Sequence, residues 1–184
     1  KRFVRTAAMM GRDESLDNLT GAHIIYSCMQ VADIFMLGAK ITQLGMDQRK
    51  LNMLAREIGP LLGFWKPVVV SHHMLMGLGK PPEHSEDKVK RTIEMKMSKS
   101  HPDTAIFMTD TTEDIQRKIN KAWCLEGEVK DNPVLEYCKY IIFERVDSIT
   151  IKRPEKFGGN LTIKSYGELE KKFAAKEIHP QDLK

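Results

Sequence analysis

The chain has 184 residues and a formal net charge of +4, a length sufficient for one ordinary domain or two small ones. Hydrophobic residues make up 41% of it, enough for a core, and it contains no run of about 18 apolar residues that could cross a membrane. The sequence therefore predicts no membrane span, and its polar start predicts no signal peptide. The mild positive excess is compatible with an RNA partner without requiring one.

Three cysteines are present, Cys28, Cys124 and Cys138. Their number is odd and no C-x-x-C spacing occurs, which argues against a disulfide framework or a zinc site. We expect reduced, mostly buried thiols in a cytosolic protein that binds no metal ion through its own side chains.

The first predicted helix covers about residues 22–37, with Thr20 as a possible cap and Gly38 at its end. At helical spacing, Tyr26, Gln30 and Asp33 share one face. A polar stripe of this kind commonly faces water. Here it lies among apolar neighbours, namely Ile24, Ile25, Met29, Val31, Ile34, Phe35 and Met36. We therefore expect the helix positions on both sides of the stripe to be buried, and the stripe to face a pocket or a hydrated cleft.

A strand–helix–strand pattern follows. Residues 41–44 predict a short strand, and Asp47 can cap the next helix, which ends at Gly59-Pro60. The apolar stripe of that helix comprises Leu51, Leu54 and Ile58. The β-branched run at residues 68–70 predicts a buried strand. This order of elements favours parallel α/β packing.

Residues 79–94 carry two prolines and many charges, which suggests an exposed, mobile segment. They lead into Lys96-Met97-Ser98-Lys99-Ser100, where two lysines lie three residues apart. Lysine offers a compact charge with three rotatable donors, which suits a loop that closes over a polyphosphate. A charged, solvated loop is the alternative that the spacing alone leaves open.

Beyond Asp110 the pattern becomes helical, and we place a domain boundary near Thr109. Thr111 and Asp114 predict a capping box at the start of a helix. The inward face of that helix is predicted to comprise Ile115, Ile119, Ala122 and Trp123.

The remaining elements are predicted from caps and short apolar runs. Asn132-Pro133 predicts a helix start, with the helix reaching about residue 143. Residues 149–152 predict a strand. Ser165 opens a helix with Leu169 and Phe173 on its inner side, and another helix can begin just before Lys184.

Five motifs in register resemble the archaeal/eukaryotic tyrosyl branch of the class I aminoacyl-tRNA synthetases, over nearly the whole chain. They are K-M-S-K-S at 96–100, Y-S-C-M-Q-V-A-D at 26–33, L-G-M-D-Q-R-K at 44–50, I-K-R-P-E-K-F-G-G at 151–159 and H-P-Q-D at 179–182. The resemblance implies an α/β protein. Residues 1–109 would form the later part of a Rossmann-type catalytic domain, and residues 110–184 a mostly helical anticodon-binding domain that is truncated at its C-terminus.

The resemblance also implies an activity, in which ATP and tyrosine give tyrosyl-adenylate and pyrophosphate before tyrosine passes to its tRNA. The family's first ATP-binding motif, of the H-x-G-H type, does not occur in these 184 residues. We therefore expect this chain to be the middle and later part of a longer polypeptide, and to form no tyrosyl-adenylate alone.

By resemblance, Tyr26 and Gln30 hold the α-ammonium group of tyrosine, Asp33 accepts its phenol hydroxyl, and Gln48 reaches its carboxyl group. A buried carboxylate without a partner is costly, so Asp33 would reject an amino acid that lacks the hydroxyl. Tyrosyl-tRNA synthetases reject phenylalanine in this way.

The ATP-binding residues implied by the family lie in two stretches. Gly45 and Asp47 approach the ribose, although Asp47 as a helix cap is the commoner role for its residue type. Lys96 and Lys99, the catalytic residues, neutralise the β- and γ-phosphates, and Met97 and Ser98 complete the ATP-binding loop. Magnesium accompanies ATP, held mainly by phosphates and water.

The tRNA contacts implied by the family are more dispersed. Arg49 and Lys50 read the first base pair of the acceptor stem, and a solvated basic pair is the alternative. Phe157 stacks on the first anticodon base, while His179 and Asp182 flank it and Asp182 bonds to guanine. The position of Phe157 after a basic turn and before two glycines favours an exposed ring, and core packing, the usual fate of a phenylalanine, is the alternative. His179 and Asp182 also suit a helix start.

Other readings stay open at this point. His72-His73 resembles a metal or catalytic pair, but adjacent residues rarely converge on one ion, and we interpret them as a turn near the adenine. A tryptophanyl-tRNA synthetase and a non-catalytic RNA-binding module are the alternative functions. The family implies a cytoplasmic homodimer in the full-length protein.

Overall fold

The computed structural model describes residues 21–82, 95–99 and 101–184. These residues fall into two compact units, residues 21–74 in one and residues 75–82, 95–99 and 101–184 in the other. No helix within these ranges is long and apolar enough to span a membrane. The predicted mobile segment lies mostly at residues 83–94, outside the described residues.

The first unit is a parallel β-α-β arrangement preceded by a helix. Helix α1 (Gly21–Met36) leads to β1 (Ile41–Gly45), α2 (Arg49–Ile58) and β2 (Val68–His72). The strands pair in parallel, with Ile41 opposite Val68 and Gly45 opposite His72. The predicted helices, strands and parallel packing of this region are confirmed.

The core of the first unit lies between α1 and α2. Val31, Ile34 and Phe35 pack on Leu51 and Ala55, all of them buried, with Leu54, Ile58 and Trp65 around them. The α2 stripe is therefore the predicted one. Gly59 ends α2 at a crowded point, because a Cβ atom there would lie 2.7 Å from the Trp65 carbonyl oxygen and 2.9 Å from the Phe35 ring.

Three expectations for the first unit are wrong. Asp47 is not the cap of α2; it lies in a 3-10 turn (Met46–Gln48), and Gln48 holds the cap position without a capping side chain. The strand that was predicted to be buried is partly exposed to solvent, since Val68 is 54% exposed. The stripe on α1 does not lie between buried neighbours, because Ile25 and Met29 are 59% and 60% exposed. The exposed strand and the exposed stripe share one reason: among the described residues of this unit, the sheet has two strands and one face of α1 is packed.

The second unit combines short helices with a β-ribbon. Its elements are α3 (Thr112–Lys121), α4 (Pro133–Tyr137), which continues as a π-helical turn (Cys138–Ile142), β3 (Ile149–Ile151), β4 (Leu161–Ile163), α5 (Tyr166–Ala174) and α6 (Pro180–Leu183). Strands β3 and β4 are antiparallel. The strand β4 was not predicted, although a Leu-Thr-Ile run, with two β-branched residues, after Gly-Gly-Asn is a hairpin signal.

The helix caps of the second unit are the predicted ones. Thr111 and Asp114 form a capping box, and the Asn132 side chain accepts the N–H groups of Val134 and Leu135 at 3.1 and 3.3 Å. Leu169 and Phe173 on α5 are fully buried in a core with β3, β4 and α4. One face prediction is wrong, because Ile115 is 37% exposed while Lys118, one turn on, is buried.

The second unit begins earlier in the chain than the predicted boundary near Thr109. Leu78 packs in a cluster with Ala122, Val134 and Tyr137. The Met76 N–H donates to a Glu136 carboxylate oxygen at 2.6 Å, and Tyr137 donates its hydroxyl to the Met76 carbonyl at 3.0 Å. These contacts join residues 75–82 to α3 and α4.

Candidate functional site

A chain of side-chain amides lies where α1 meets the turn after β1. The Gln30 Nε2 atom donates to Gln48 Oε1 at 2.9 Å, and Gln48 Nε2 donates to Asp47 Oδ2 at 3.1 Å. The structure thus brings together three of the predicted site residues, from two elements that are 18 positions apart at their contact. These hydrogen bonds determine which atoms of the two side-chain amides remain available to bind a ligand.

The second amide atom of Gln30 is the informative one. Gln30 Oε1 is buried and has no hydrogen-bond partner among the residues that the structure describes. A buried acceptor without a donor costs roughly 1–3 kcal/mol, so such atoms are rare in folded proteins and call for an explanation. An incoming N–H donor would satisfy it, and a charged ammonium group would do so most strongly.

Tyr26 and Asp33 share the α1 face of Gln30 but differ from it in burial. Tyr26 is 51% exposed and Asp33 is also exposed. The expected burial of the Asp33 carboxylate is therefore wrong within the described residues, because no described element covers that part of α1. The spacing of the three side chains along one helix is as predicted.

Gly45 is buried at the end of β1, where the backbone passes close to Asp47. A Cβ atom at Gly45 would overlap Met74 Sδ and would lie 2.6 Å from Asp47 Oδ1. Only glycine therefore fits without displacing the carboxylate. The site is consequently built on close packing as well as on polar contacts.

Arg49 and Lys50 are exposed in the first turn of α2. Cations at a helix N-terminus are disfavoured by the helix dipole, and basic residues generally stabilise the opposite end. The pair therefore does not serve α2 itself, and its position suits an anionic partner.

The lysine loop is described at residues 95–99. Gly77 donates its N–H to the Met95 carbonyl at 2.7 Å, and Lys96 pairs with Met76 in an antiparallel bridge. Met97 packs against the apolar cluster around Leu78, whereas Lys96 and Lys99 are exposed. An apolar anchor between two outward cations is what a phosphate-binding loop on a fixed base requires.

Helix α3 holds the segment that follows the lysine loop. Lys118 Nζ donates to the Ala105 carbonyl at 2.8 Å and to Asp110 at 2.6 Å, and Arg117 pairs with Asp103 at 2.8 Å. The hydrogen bond from Lys118 holds the pKa of the Asp110 carboxyl below its usual value. None of these residues was predicted from the sequence. The available signal is Lys118, which lies four positions before Ala122 and so shares its helix face.

The predicted anticodon-reading residues lie on two turns of the second unit. Phe157 ends a 3-10 turn (Glu155–Phe157) and is 61% exposed, as expected, with Lys156 Nζ 4.9 Å from the ring centre. His179 caps α6, since its Nδ1 accepts the Gln181 N–H at 3.2 Å, and Asp182 follows half-buried. The predicted helix start at His179 is confirmed.

The remaining candidates show no shared geometry. His72 Nδ1 lies 3.1 Å from the carbonyl oxygen of His73. Within residues 21–82, 95–99 and 101–184, no three His, Cys, Asp or Glu side chains converge as a metal site would require. Cys138 is buried, which raises the pKa of its thiol to about 12. Cys28 is exposed, contrary to the expectation of mostly buried cysteines.

Comparison with known proteins shows to which class this fold and site belong. The family model for tRNA synthetases class I (W and Y) matches residues 1–184. The chain therefore belongs to that family, whose catalytic domain has the α/β architecture expected here.

Three of the similar proteins are named as tyrosine–tRNA ligases or as a tyrosyl-tRNA synthetase. A tyrosine–tRNA ligase from Thermococcus sibiricus is 44% identical over 199 residues, covering 100% of this chain and 52% of the relative. Tyrosine–tRNA ligase 1, cytoplasmic, from Arabidopsis thaliana is 47% identical, covering 100% and 44%. The structure of the Pyrococcus horikoshii tyrosyl-tRNA synthetase complexed with L-tyrosine superposes with a TM-score of 0.85 at 41% identity, over 99% of this chain and 53% of that one. The chain thus spans about half the length of these relatives.

Proposed function

We propose that this chain is part of a tyrosine–tRNA ligase and carries most of its amino-acid site. The observation that carries the proposal is the buried, unpartnered Gln30 Oε1 beside the hydrogen-bonded Gln48 and Asp47. The names of the similar proteins, and the L-tyrosine bound in the Pyrococcus horikoshii structure, support it.

In this proposal the two glutamine side chains bind different polar groups of tyrosine. Gln30 Oε1 and the Tyr26 hydroxyl accept hydrogen bonds from the α-ammonium group. Gln48 Oε1 already accepts a hydrogen bond from Gln30, and the remaining Nε2 hydrogen of Gln48 is donated to the carboxyl group of tyrosine. Asp33 accepts the phenol hydroxyl. Burial of Asp33, which its role in rejecting phenylalanine requires, would come from parts of the protein beyond the described residues.

ATP would be held by Gly45 and Asp47 at the ribose and by residues 96–99 at the phosphates. The tyrosine carboxylate attacks the α-phosphorus, and pyrophosphate leaves with its charge balanced by Lys96, Lys99 and a magnesium ion that arrives with ATP. The exposed lysines on a base anchored by Met97 support this role, because they can move without unfolding the cluster beneath them.

The partner of the finished adenylate would be tyrosine tRNA. Arg49 and Lys50 would contact the acceptor stem, and Phe157, His179 and Asp182 would read the anticodon from a domain at residues 110–184 that is mostly helical. Exposure of Phe157 supports this proposal. We further propose a homodimer in the cytoplasm, the compartment printed in the name of the Arabidopsis relative.

The test is ATP–pyrophosphate exchange with tyrosine, phenylalanine and tryptophan supplied separately. It is measured on the 184-residue chain and on a chimera in which this chain replaces the matching half of the Pyrococcus horikoshii protein. Exchange with tyrosine alone, by the chimera and not by the isolated chain, is the expected result. Exchange with tryptophan would move the assignment to the tryptophanyl enzymes. A folded chimera that binds tRNA but supports no exchange would favour a non-catalytic RNA-binding module.

A further inference from the structure

Arg153 connects the two turns that carry the proposed anticodon-reading residues. Its Nε atom donates to the Gly159 carbonyl at 3.2 Å, and its Nη1 atom donates to the Glu177 carbonyl at 2.9 Å. Its backbone N–H also donates to the Asn160 side chain at 3.3 Å. One half-buried side chain therefore ties the Phe157 turn to the segment just before His179.

Both acceptors lie where the backbone leaves regular structure. Gly158 and Gly159 have φ values of 94° and 69°, and Lys176, just before Glu177, has a φ of 61°. Carbonyl groups in such turns are not paired by a helix or a sheet ladder, so a side-chain donor determines how firmly they are held. The ion pair between Lys172 and Glu177, at 2.9 Å, fixes the second turn to α5.

The contact needs arginine rather than any cation. The guanidinium group presents several N–H donors in one rigid plane, so Nε and Nη1 can serve two carbonyl groups at once. A lysine keeps the positive charge but has one nitrogen at the end of a flexible chain. Its charge alone would not hold two turns at a fixed separation.

We propose that Arg153 is a positioning residue for RNA reading: it holds the exposed ring of Phe157 and the polar pair His179 and Asp182 as one surface that fits a single unstacked base. The inference rests on the proposed function, since it assumes that these three residues contact RNA. Stacking on a ring and hydrogen bonding at the base edge must act on the same nucleotide, so their relative placement decides discrimination between bases.

The matched variants are Arg153→Lys, Arg153→Met and, as a control, Lys152→Met. Lys152 is the exposed neighbour, so its replacement removes the same charge without breaking the contacts of Arg153. The first readout is hydrogen exchange at the Gly159 and Asp182 amides, which bond to Pro154 and His179 in the wild type. Both arginine variants should speed exchange at both amides, while amides of α5 stay protected and report intact folding.

The second readout is binding of four labelled anticodon stem–loop RNAs, with G, A, C or U at the first anticodon position, to the 184-residue chain. We expect the preference for G to fall about 10-fold in both arginine variants, the effect of losing hydrogen bonds from a charged donor. Lys152→Met should weaken all four RNAs equally.

The two ideas fail in different ways. If the wild-type chain binds no stem–loop, or binds all four equally, the RNA-reading role itself is refuted, and the positioning role with it. If the wild type prefers G and Arg153→Lys keeps both the preference and the slow hydrogen exchange, only the inference about Arg153 is overturned, because a positive charge at this position would then be enough to hold the two turns.

Discussion

Replacement of Gln30 by methionine tests whether its buried amide serves the ligand or the fold. Methionine has a similar shape, so the core behind α1 keeps its packing. The change removes the donor to Gln48 Oε1 and also removes an oxygen that has no partner. The first loss costs about 1 kcal/mol and the second relieves a penalty of similar size, so the free energy of unfolding should change by less than about 1 kcal/mol.

Tyrosine binding should respond quite differently. A hydrogen bond from an ammonium group to Gln30 Oε1 is worth about 1.5–3 kcal/mol, so its loss should raise the dissociation constant roughly 10- to 150-fold. Urea denaturation of the chain gives the stability change, and calorimetric titration of the chimera with tyrosine gives the affinity. The control is Gln43→Met, at an exposed position on β1. A stability loss above about 2 kcal/mol with unchanged affinity would refute the reasoning, because the amide would then serve the fold.

Four further predictions concern single side chains of the described residues. Lys118→Met should lower the melting temperature far more than Lys121→Met, since Lys118 is buried against Ala105 and Asp110 and Lys121 is exposed. The pKa of Asp110 is lower in the folded protein than its value of about 3.9 in the unfolded chain. The stabilising contribution of Asp110 is therefore complete above that unfolded-state pKa and is lost as the pH falls through the lower folded-state pKa. In urea melts, the stability advantage of the wild type over Asp110→Asn should shrink below about pH 4. Gly45→Ala should lower the free energy of unfolding by an amount on the order of 1–3 kcal/mol, because the added methyl group overpacks the site. Adding Met74→Ala should restore part of that free energy. No recovery would mean that the clash with Asp47 dominates. Lys99→Met should leave urea melts unchanged, because the side chain is exposed, yet lower the exchange rate of the chimera about 100-fold or more; equal exchange rates would exclude the proposed role in phosphate charge balance.

Local signals in the sequence predicted the elements well, because the deciding interactions are themselves local. The capping box at Thr111, the cap at Asn132 and the inward pair Leu169 and Phe173 involve residues at most four positions apart. The parallel pairing of β1 and β2 followed from the strand–helix–strand order, which leaves few other arrangements.

Burial could not be predicted in the same way. The exposed Val68 and Ile25 depend on whether another element covers them, which no periodicity reveals. Lys118 is the opposite case, since its burial is tolerated only because Ala105 and Asp110 supply oxygen acceptors from a distant loop. In the candidate site, the spacing predicted that Gln30 shares a face of α1 with Tyr26 and Asp33, whereas its contact with Gln48 depends on how α1 packs against the turn before α2.

The proposed amino-acid site works against the stability of the unit that carries it. Within the described part of the chain, the buried Gln30 oxygen has no hydrogen-bond partner, which costs free energy in the absence of ligand, and Arg49 and Lys50 lie at the end of the α2 dipole that disfavours cations. The offset lies in α2 just after the basic pair, where Leu51 and Ala55 are fully buried against α1. A rigid core next to the Gln30 amide keeps its oxygen from relaxing into other contacts, so the oxygen stays available to a ligand. A residue selected only for folding would more readily pair that oxygen with a donor, and the sequence pattern alone gives no reason for leaving it open.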